Sequence, residues 1–404
     1  MDRFEPKRAV SAHGGPNTNE RCYADVSMAR RTLYLDHAAT TPLLPEARAA
    51  MEPYLGERFA NASSLHAGAR EARKAIEEAR EHVAAAAGAR PEEVIFTSGG
   101  TEADNLALQG AAWRQKGQGR DGIVVSAIEH HAVLDTAAWL GRQGFVVRIV
   151  GVHRDGVLDL DALADAIDGT TGVVSVMAAN NEVGTIQPVT SVAEIAHETG
   201  ARFHTDAVQA LPWIPLDAAR ADLIALSAHK LGGPKGVGAL VVRRGVGVEP
   251  IVHGGGQERG IRSGTYNVAG IAGFGEAVRL TVERLAATAA RVRALRDRLE
   301  AGLLGRIDGL RVHGAGAERL PNNCNVGIEG VESEPLLLLL DGAGVAASSG
   351  SACSSGATEP SHVLQAMGLR PSGVLRLTLG VTTTEEEVDA AVDAVVSAVE
   401  RLRR

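Results

Sequence analysis

The sequence predicts an α/β fold built on a doubly wound, mostly parallel seven-stranded sheet, and three observations predict it. Short β-branched runs recur at 94–97, 123–126, 145–150, 173–177, 202–205, 222–227 and 239–242. Helical patterns such as 102–115 and 131–143 lie between them, the rhythm of strands joined by crossover helices. Hydrophobic residues make up 45% of the 404 positions while aromatics make up only 3%, so the interior is built from Ala, Val, Leu and Ile rather than rings.

Taken in chain order, the first 28 residues are polar and glycine-containing and read as a disordered tail, with Met28 an alternative start. Residues 29–42 are expected to belong to a smaller unit, ahead of a large domain at 43–282. Within that domain Ala72, Ile76, Ala79 and Val83 put one apolar stripe on an early helix. Glycine-rich turns near 253–264 end the strand and helix alternation, and a long helical stretch covers about 267–304. Residues 283–404 are expected to form a small α+β domain of short strands and loops. It closes with a capping box, Thr384 with Glu387, ahead of an amphipathic helix with its stripe at Val388, Val392, Val395, Val399 and Leu402.

Composition also excludes functions. A formal net charge of -8 argues against nucleic-acid and anionic-membrane binding, both of which need clustered positive charge. The three cysteines, Cys22, Cys324 and Cys353, are too far apart for a C-x-x-C metal site and odd in number, so a reducing, cytoplasmic compartment is expected. No signal-peptide core and no run approaching ~18 apolar residues is present. No G-x-G-x-x-G follows the first strand of a βαβ unit, which disfavours a nicotinamide enzyme.

In doubly wound sheets ligands bind at the carboxyl ends of strands, and ligand-type residues follow several of these runs. Lys230, in Ser227-Ala228-His229-Lys230, directly follows the run 222–227. Alone it would read as a solvated surface lysine, yet an amine there suits a Schiff base with an aldehyde. Asp206 ends the run 202–205 and Gln209 lies three residues on. A buried carboxylate there keeps a pyridinium nitrogen protonated, although a helix N-cap is the plainer use. Ser98-Gly99-Gly100-Thr101-Glu102 is a glycine turn into a helix, where free backbone N–H groups favour a phosphate. His130 follows the run 123–126, where an imidazole can stack on a flat ring or exchange protons, or simply pack. Asn180 and Asn181 follow 173–177 and add amide donors.

Together with Leu35-Asp36-His37-Ala38-Ala39-Thr40-Thr41-Pro42, Asn180-Asn181-Glu182, His204-x-Asp206-x-x-Gln209, Arg262-Ser263-Gly264-Thr265 and Ser348-Ser349-Gly350-Ser351-Ala352-Cys353, these motifs resemble the NifS/IscS-type cysteine desulfurases, in order from about residue 32 to 402. That family belongs to the class V aminotransferase group. The resemblance implies the fold-type-I architecture of pyridoxal-phosphate (pyridoxal 5'-phosphate) transferases, a homodimer, and conversion of L-cysteine to L-alanine with sulfur passed to an enzyme cysteine. A selenocysteine lyase or another pyridoxal-phosphate enzyme of the group is the alternative.

Carried over by position, Lys230 resembles the Schiff-base lysine, Asp206 the partner of the pyridine nitrogen, Gln209 the donor to the phenolic oxygen, and His130 the stacking histidine and acid/base. The phosphate site resembles Gly100, Thr101, Ser227 and His229, with Thr265 supplied by the other subunit. Asn181 and Arg376 resemble the substrate-binding pair, a guanidinium being suited to gripping a carboxylate by two hydrogen bonds. Cys353 sits in a stretch, 347–361, of almost entirely small or polar residues with two glycines and one proline, as suits a thiol that must meet substrate and then an outside acceptor. The loop length resembles that of members that hand sulfur to iron–sulfur scaffolds, so a scaffold or another sulfur acceptor is the expected partner. Cys324 is expected to be a packed thiol.

Overall fold

A run in which every residue is apolar or small has no solvent face, so it is stable only where both sides are covered. The computed structural model, which describes residues 32–216, 220–350 and 361–404, puts such runs at the centre of a sheet. The expected N-terminal tail, with Cys22, lies outside the described residues. In chain order the first elements are β1 (Leu33–Tyr34), α1 (Pro45–Leu55), α2 (Ala67–Ala86), β2 (Val94–Thr97), α3 (Gly100–Lys116), β3 (Gly122–Ser126), α4 (His131–Arg142) and β4 (Val146–Val150). They continue as α5 (Leu160–Ala166), β5 (Thr171–Ser175), α6 (Val189–Glu198), β6 (Arg202–Asp206), β7 (Leu223–Ser227) and β8 (Gly238–Val242). The remainder comprises α7 (Val268–Leu304), β9 (Leu310–Val312), β10 (Asn323–Ile328), α8 (Ser333–Gly342), β11 (Val345–Ala346), α9 (His362–Ala366), β12 (Leu375–Thr378) and α10 (Glu385–Leu402).

The main sheet has seven strands in the order β2-β8-β7-β6-β5-β3-β4. From β4 to β7 every pairing is parallel, whereas β8 runs antiparallel to both of its neighbours. The carboxyl ends of β2, β3, β5, β6 and β7 therefore share one rim, and β8 brings Gly238 opposite both Ser227 and Thr97. β5, β7 and β8 are buried at every position, while β4, at the edge, leaves Val146 and Ile149 exposed. One face of the sheet, with Val94, Phe96, Val124, Val174, Ile224 and Val241, packs in a cluster shared with α2, α6 and α7. The other, with Ile95, Ile123, Val125, Leu223 and Leu240, packs on α3 and α4. This alternation sandwiches the sheet between two helical layers.

The apolar stripe expected on the early helix is buried: Ala72, Ile76, Ala79 and Val83 lie on the covered face of α2. The expected strand at 173–177 sits two residues earlier, at Thr171–Ser175. The backbone N–H of Met177 is captured by the Glu129 carboxylate at 2.7 Å, which ends the regular ladder there.

A second, antiparallel sheet has the order β12-β10-β9, and β1 pairs in parallel with β11 through Leu33↔Val345 and Tyr34↔Ala346. The first strand in sequence is thus joined to the C-terminal third. The expected division at 282/283 falls inside α7, one 37-residue helix. α10 starts with the expected capping box, Glu387 N donating to Thr384 Oγ1 and Thr384 N to Glu387 Oε2. Its Val388, Val392, Val395 and Val399 are buried, as the stripe required. Cys324 is buried in β10 and burial pushes its thiol pKa well up, so it is an inert packed thiol.

Candidate active site

Strand ends β2, β3, β5, β6 and β7 open into one cavity of about 740 Å³. After Ser227 the chain makes a single tight turn, Ala228–Lys230, which brings Lys230 to the cavity floor. Lys230 Nζ donates to the carbonyls of Ala38 and Ala39 at 2.6 and 2.8 Å. The segment that supplies those carbonyls is pinned to the lysine turn: Thr41 N and Oγ1 both donate to His229 O, at 3.0 and 2.8 Å, and Gly232 N donates to Thr41 Oγ1 at 2.9 Å. Residues 36–41 thus wrap the lysine, although some 190 positions separate them in sequence.

Asp206, at the end of β6, is 7% exposed, and its Oδ1 accepts Val208 N at 2.9 Å. Burial raises its pKa, against the pull of the His130 and Lys230 positions. Gln209 donates to Ala38 O at 3.0 Å and lines the same cavity. His130 caps α4, its Nδ1 accepting Ala132 N at 3.1 Å, and burial lowers its pKa, so the ring is neutral at neutral pH.

The glycine turn after β2 opens α3 at Gly100. A Cβ on Gly100 would stand 2.8 Å from Val208 Cγ2, so only glycine lets the helix start come this close. Thr101 and Ser227 line both the main cavity and an adjoining recess of about 350 Å³, which Ser98, His229 and Lys235 also line. Glu102 holds this turn in place. It accepts Ser98 N at 2.9 Å and a two-point ion pair from Arg262 at 2.7 and 3.1 Å. His229 Nδ1 lies 3.1 Å from Thr40 Oγ1, and burial, then Lys230 and Lys235, lower its pKa to about 4.

On the opposite wall, Arg376 on β12 is 3% exposed. Its Nη2 donates to Asp36 Oδ1 at 2.8 Å and its Nη1 to Asn181 O at 3.0 Å, and both Asn181 and Arg376 line the cavity. Thr265 is exposed and does not line this cavity. Cys353 lies outside the described residues. Gly350, three positions before it, lines the cavity.

Sequence reasoning missed four residues at or near the site. Asp104, one turn into α3 and 1% exposed, lines the cavity. Its spacing from Gly100 was a usable signal, since residues four apart share a helix face. Glu129, next to His130, is fully buried, and burial raises its pKa well above the usual range. Asp36 and Glu182, the partners of Arg376 and Ser361, gave no local signal because each contact spans more than 170 positions.

The donor set fits a flat phosphorylated aldehyde. Ser227 Oγ is buried without a hydrogen-bond partner, beside the helix start whose backbone N–H groups favour a phosphate. A buried carboxylate at Asp206 suits a protonated ring nitrogen, and the Lys230 amine suits a carbonyl carbon. Among the described residues no cluster of His, Cys, Asp or Glu is arranged to hold a metal.

Comparison with known proteins agrees with this fit. The chain is 46% identical over 379 residues to cysteine desulfurase IscS of Dictyoglomus turgidum, covering 93% of this chain and 96% of the relative. Its fold matches the solved structure of a NifS-like protein with a TM-score of 0.86 and 38% identity, over 92% of this chain and all of that one. It also matches the structure of SspA in complex with cysteine, with a TM-score of 0.76 and 33% identity over 86% and 98% of the two chains. The aminotransferase class-V family matches residues 33–391, and the chain belongs to that family.

Proposed function

We propose that this protein is a pyridoxal-phosphate cysteine desulfurase that takes sulfur from L-cysteine onto Cys353 and releases L-alanine. The observation that carries the reading is that Lys230 Nζ, the Asp206 carboxylate, the Arg376 guanidinium and the stem of the Cys353 segment at Gly350 line one cavity. The relatives named as cysteine desulfurases and the SspA structure with cysteine support the choice of substrate.

When bound, pyridoxal phosphate supplies a sink for the electron pair left as the substrate's α-proton departs. Lys230 would hold the aldehyde carbon and, as a free amine, take that α-proton at Nζ. Asp206 would hold the proton on the ring nitrogen, and Gln209 would donate to the phenolic oxygen. His130, neutral and buried, would cover the ring face and move protons. Ser227, Thr101, His229 and the backbone at Gly100 would hold the phosphate, with Thr265 reaching in from the second subunit of a homodimer, a role that its exposure supports. Arg376 and Asn181 would bind the substrate carboxylate; a buried guanidinium that already has two partners is rigid, so little entropy is lost when it grips. Cys353, as a thiolate, then attacks the substrate sulfur. The carbon–sulfur bond breaks, a new sulfur–sulfur bond forms, and the carbon takes a proton. Cysteine plus one thiol thus becomes alanine plus one persulfide, with no external oxidant or reductant.

The persulfide is then passed to an acceptor, an iron–sulfur scaffold or another protein. Among the described residues no helix is long and apolar enough to cross a membrane, and a cytoplasmic site of action completes the reading. Incubation of the purified protein with cysteine and a reductant should yield alanine and sulfide in equal amounts. Lys230→Ala should lose both cofactor colour and turnover, whereas Cys353→Ser should keep the colour and lose sulfur transfer. Normal turnover in either variant would overturn the roles.

A further inference from the structure

Gly350 and Ser361 lie on either side of Cys353 in sequence, and one buried carboxylate meets both. Glu182 is 3% exposed. Ser361 Oγ donates to Glu182 Oε2 at 2.6 Å and accepts Leu364 N at 3.1 Å, so the hydroxyl that caps α9 is also tied to the carboxylate. At the other end, Gly350 packs directly on the same oxygen, since a Cβ there would stand 3.0 Å from Glu182 Oε2. Its φ of +95° is a second reason for glycine at that position.

Glu182 is itself rigidly held. Its N–H donates to Asn180 Oδ1 at 2.8 Å, and its carbonyl accepts Asn325 Nδ2 at 3.0 Å. The Gly350 stem is fixed again through Ser348, whose Oγ accepts Gly350 N at 3.0 Å and whose backbone exchanges hydrogen bonds with Arg376 at 2.6 and 3.3 Å. The short turn at residues 180–182 therefore grips the guanidinium of Arg376 through Asn181 O and both stems through Glu182.

We propose that Glu182 is a positioning residue for sulfur transfer, holding both ends of the Cys353 segment at the wall that also carries Arg376. The inference rests on the reading of Cys353 as the sulfur acceptor. Ten residues, 351–360, separate the stems. Fixing the stems removes chain entropy that would otherwise be lost each time the thiol meets the substrate, which raises the effective thiol concentration at the substrate sulfur. A charge-assisted hydrogen bond with both ends buried is the kind of contact whose loss costs most. Glu182 does not line the cavity, so its removal leaves cofactor and substrate contacts in place.

The test is steady-state alanine formation from cysteine by Glu182→Ala, Ser361→Ala, the double variant and Glu182→Gln, with cofactor absorbance recorded for each. Each alanine variant should lower kcat about tenfold, with KM within about twofold and cofactor absorbance unchanged. The double variant should be no worse than either single one, because the two residues share one contact. Glu182→Gln, which keeps an oxygen to accept from Ser361, should recover most of the rate. Unchanged kcat in both single variants, additive losses in the double variant, or no recovery with glutamine overturns the proposal. If the parent chain forms no alanine from cysteine, the desulfurase reading itself fails and this proposal with it.

Discussion

Three carboxyls, Asp104, Glu129 and Asp206, are buried around the cavity floor, and they cannot all carry charge in so little water. Asp104 resolves the conflict by holding its proton: burial, then the proximity of Asp206 and Glu129, raises its pKa well above the usual range. Its Oδ1 lies 3.5 Å from His204 Nε2, and burial lowers the pKa of that imidazole to about 3, so the ring is neutral. His204 Nδ1 in turn meets Ser175 Oγ at 2.8 Å. A neutral Asp104 leaves Asp206 free to carry the negative charge that a ring nitrogen needs. The sign of the consequence follows from linkage. Above 3.8, the ordinary value, an unfolded Asp104 has lost its proton while the folded one keeps it, so this group lowers stability as pH rises. Asp104→Asn removes that titration, so its stability relative to the parent should improve between about pH 5 and about pH 8 in urea unfolding. A constant difference across that range would contradict the assignment.

At the scale of elements, the turn after β8 stores strain that a buried ion pair offsets. Glu258 and Arg259 both have positive φ, 47° and 57°, which for residues with a Cβ costs roughly 1–3 kcal/mol each. Glu258 accepts Arg80 at 2.8 and 2.9 Å and Phe96 N at 2.9 Å, and Arg259 donates to Val94 O at 2.8 Å. The strained pair is thereby locked to α2 and β2, and the same turn carries Arg262 to Glu102 beside the phosphate-type recess. Glu258→Ala leaves the Arg80 guanidinium, itself 3% exposed, with only Glu77 and Val94 O as partners among the described residues, and should cost about 1.5–3 kcal/mol in urea unfolding. The variant should also release cofactor more readily on dialysis, because the Arg262 anchor moves with the turn. Little of this was legible in sequence: the glycine-rich turn at 253–264 announced a bend, but neither residue at positive φ is the glycine or asparagine that usually marks one.

The whole molecule brings the first and last thirds of the chain to one site. β1 pairs with β11, Asp36 pairs with Arg376, and Arg376 reaches Asn181, so the cavity closes only when both sheets are in place. In the proposed homodimer Thr265, outside its own cavity, would extend the same logic to a second subunit. Sedimentation should give twice the chain mass. Thr265→Ala should weaken cofactor retention without changing the sedimentation coefficient, and unaltered retention would remove Thr265 from the site.

Apart from the end of β5, the sequence by itself determined the strand ends that carry the site and the residue types that follow them. Lys230, Asp206, Gly100 and His130 each sit next to a run whose periodicity is readable locally, because strand and helix patterns repeat over a few residues. Only the tertiary structure decided how those ends converge, that Arg376 is buried and doubly held, and that Glu182 meets both stems of the Cys353 segment. Contacts across 170 to 340 positions depend on sheet order and packing, and no local pattern encodes which buried carboxylate an arginine or a serine will meet.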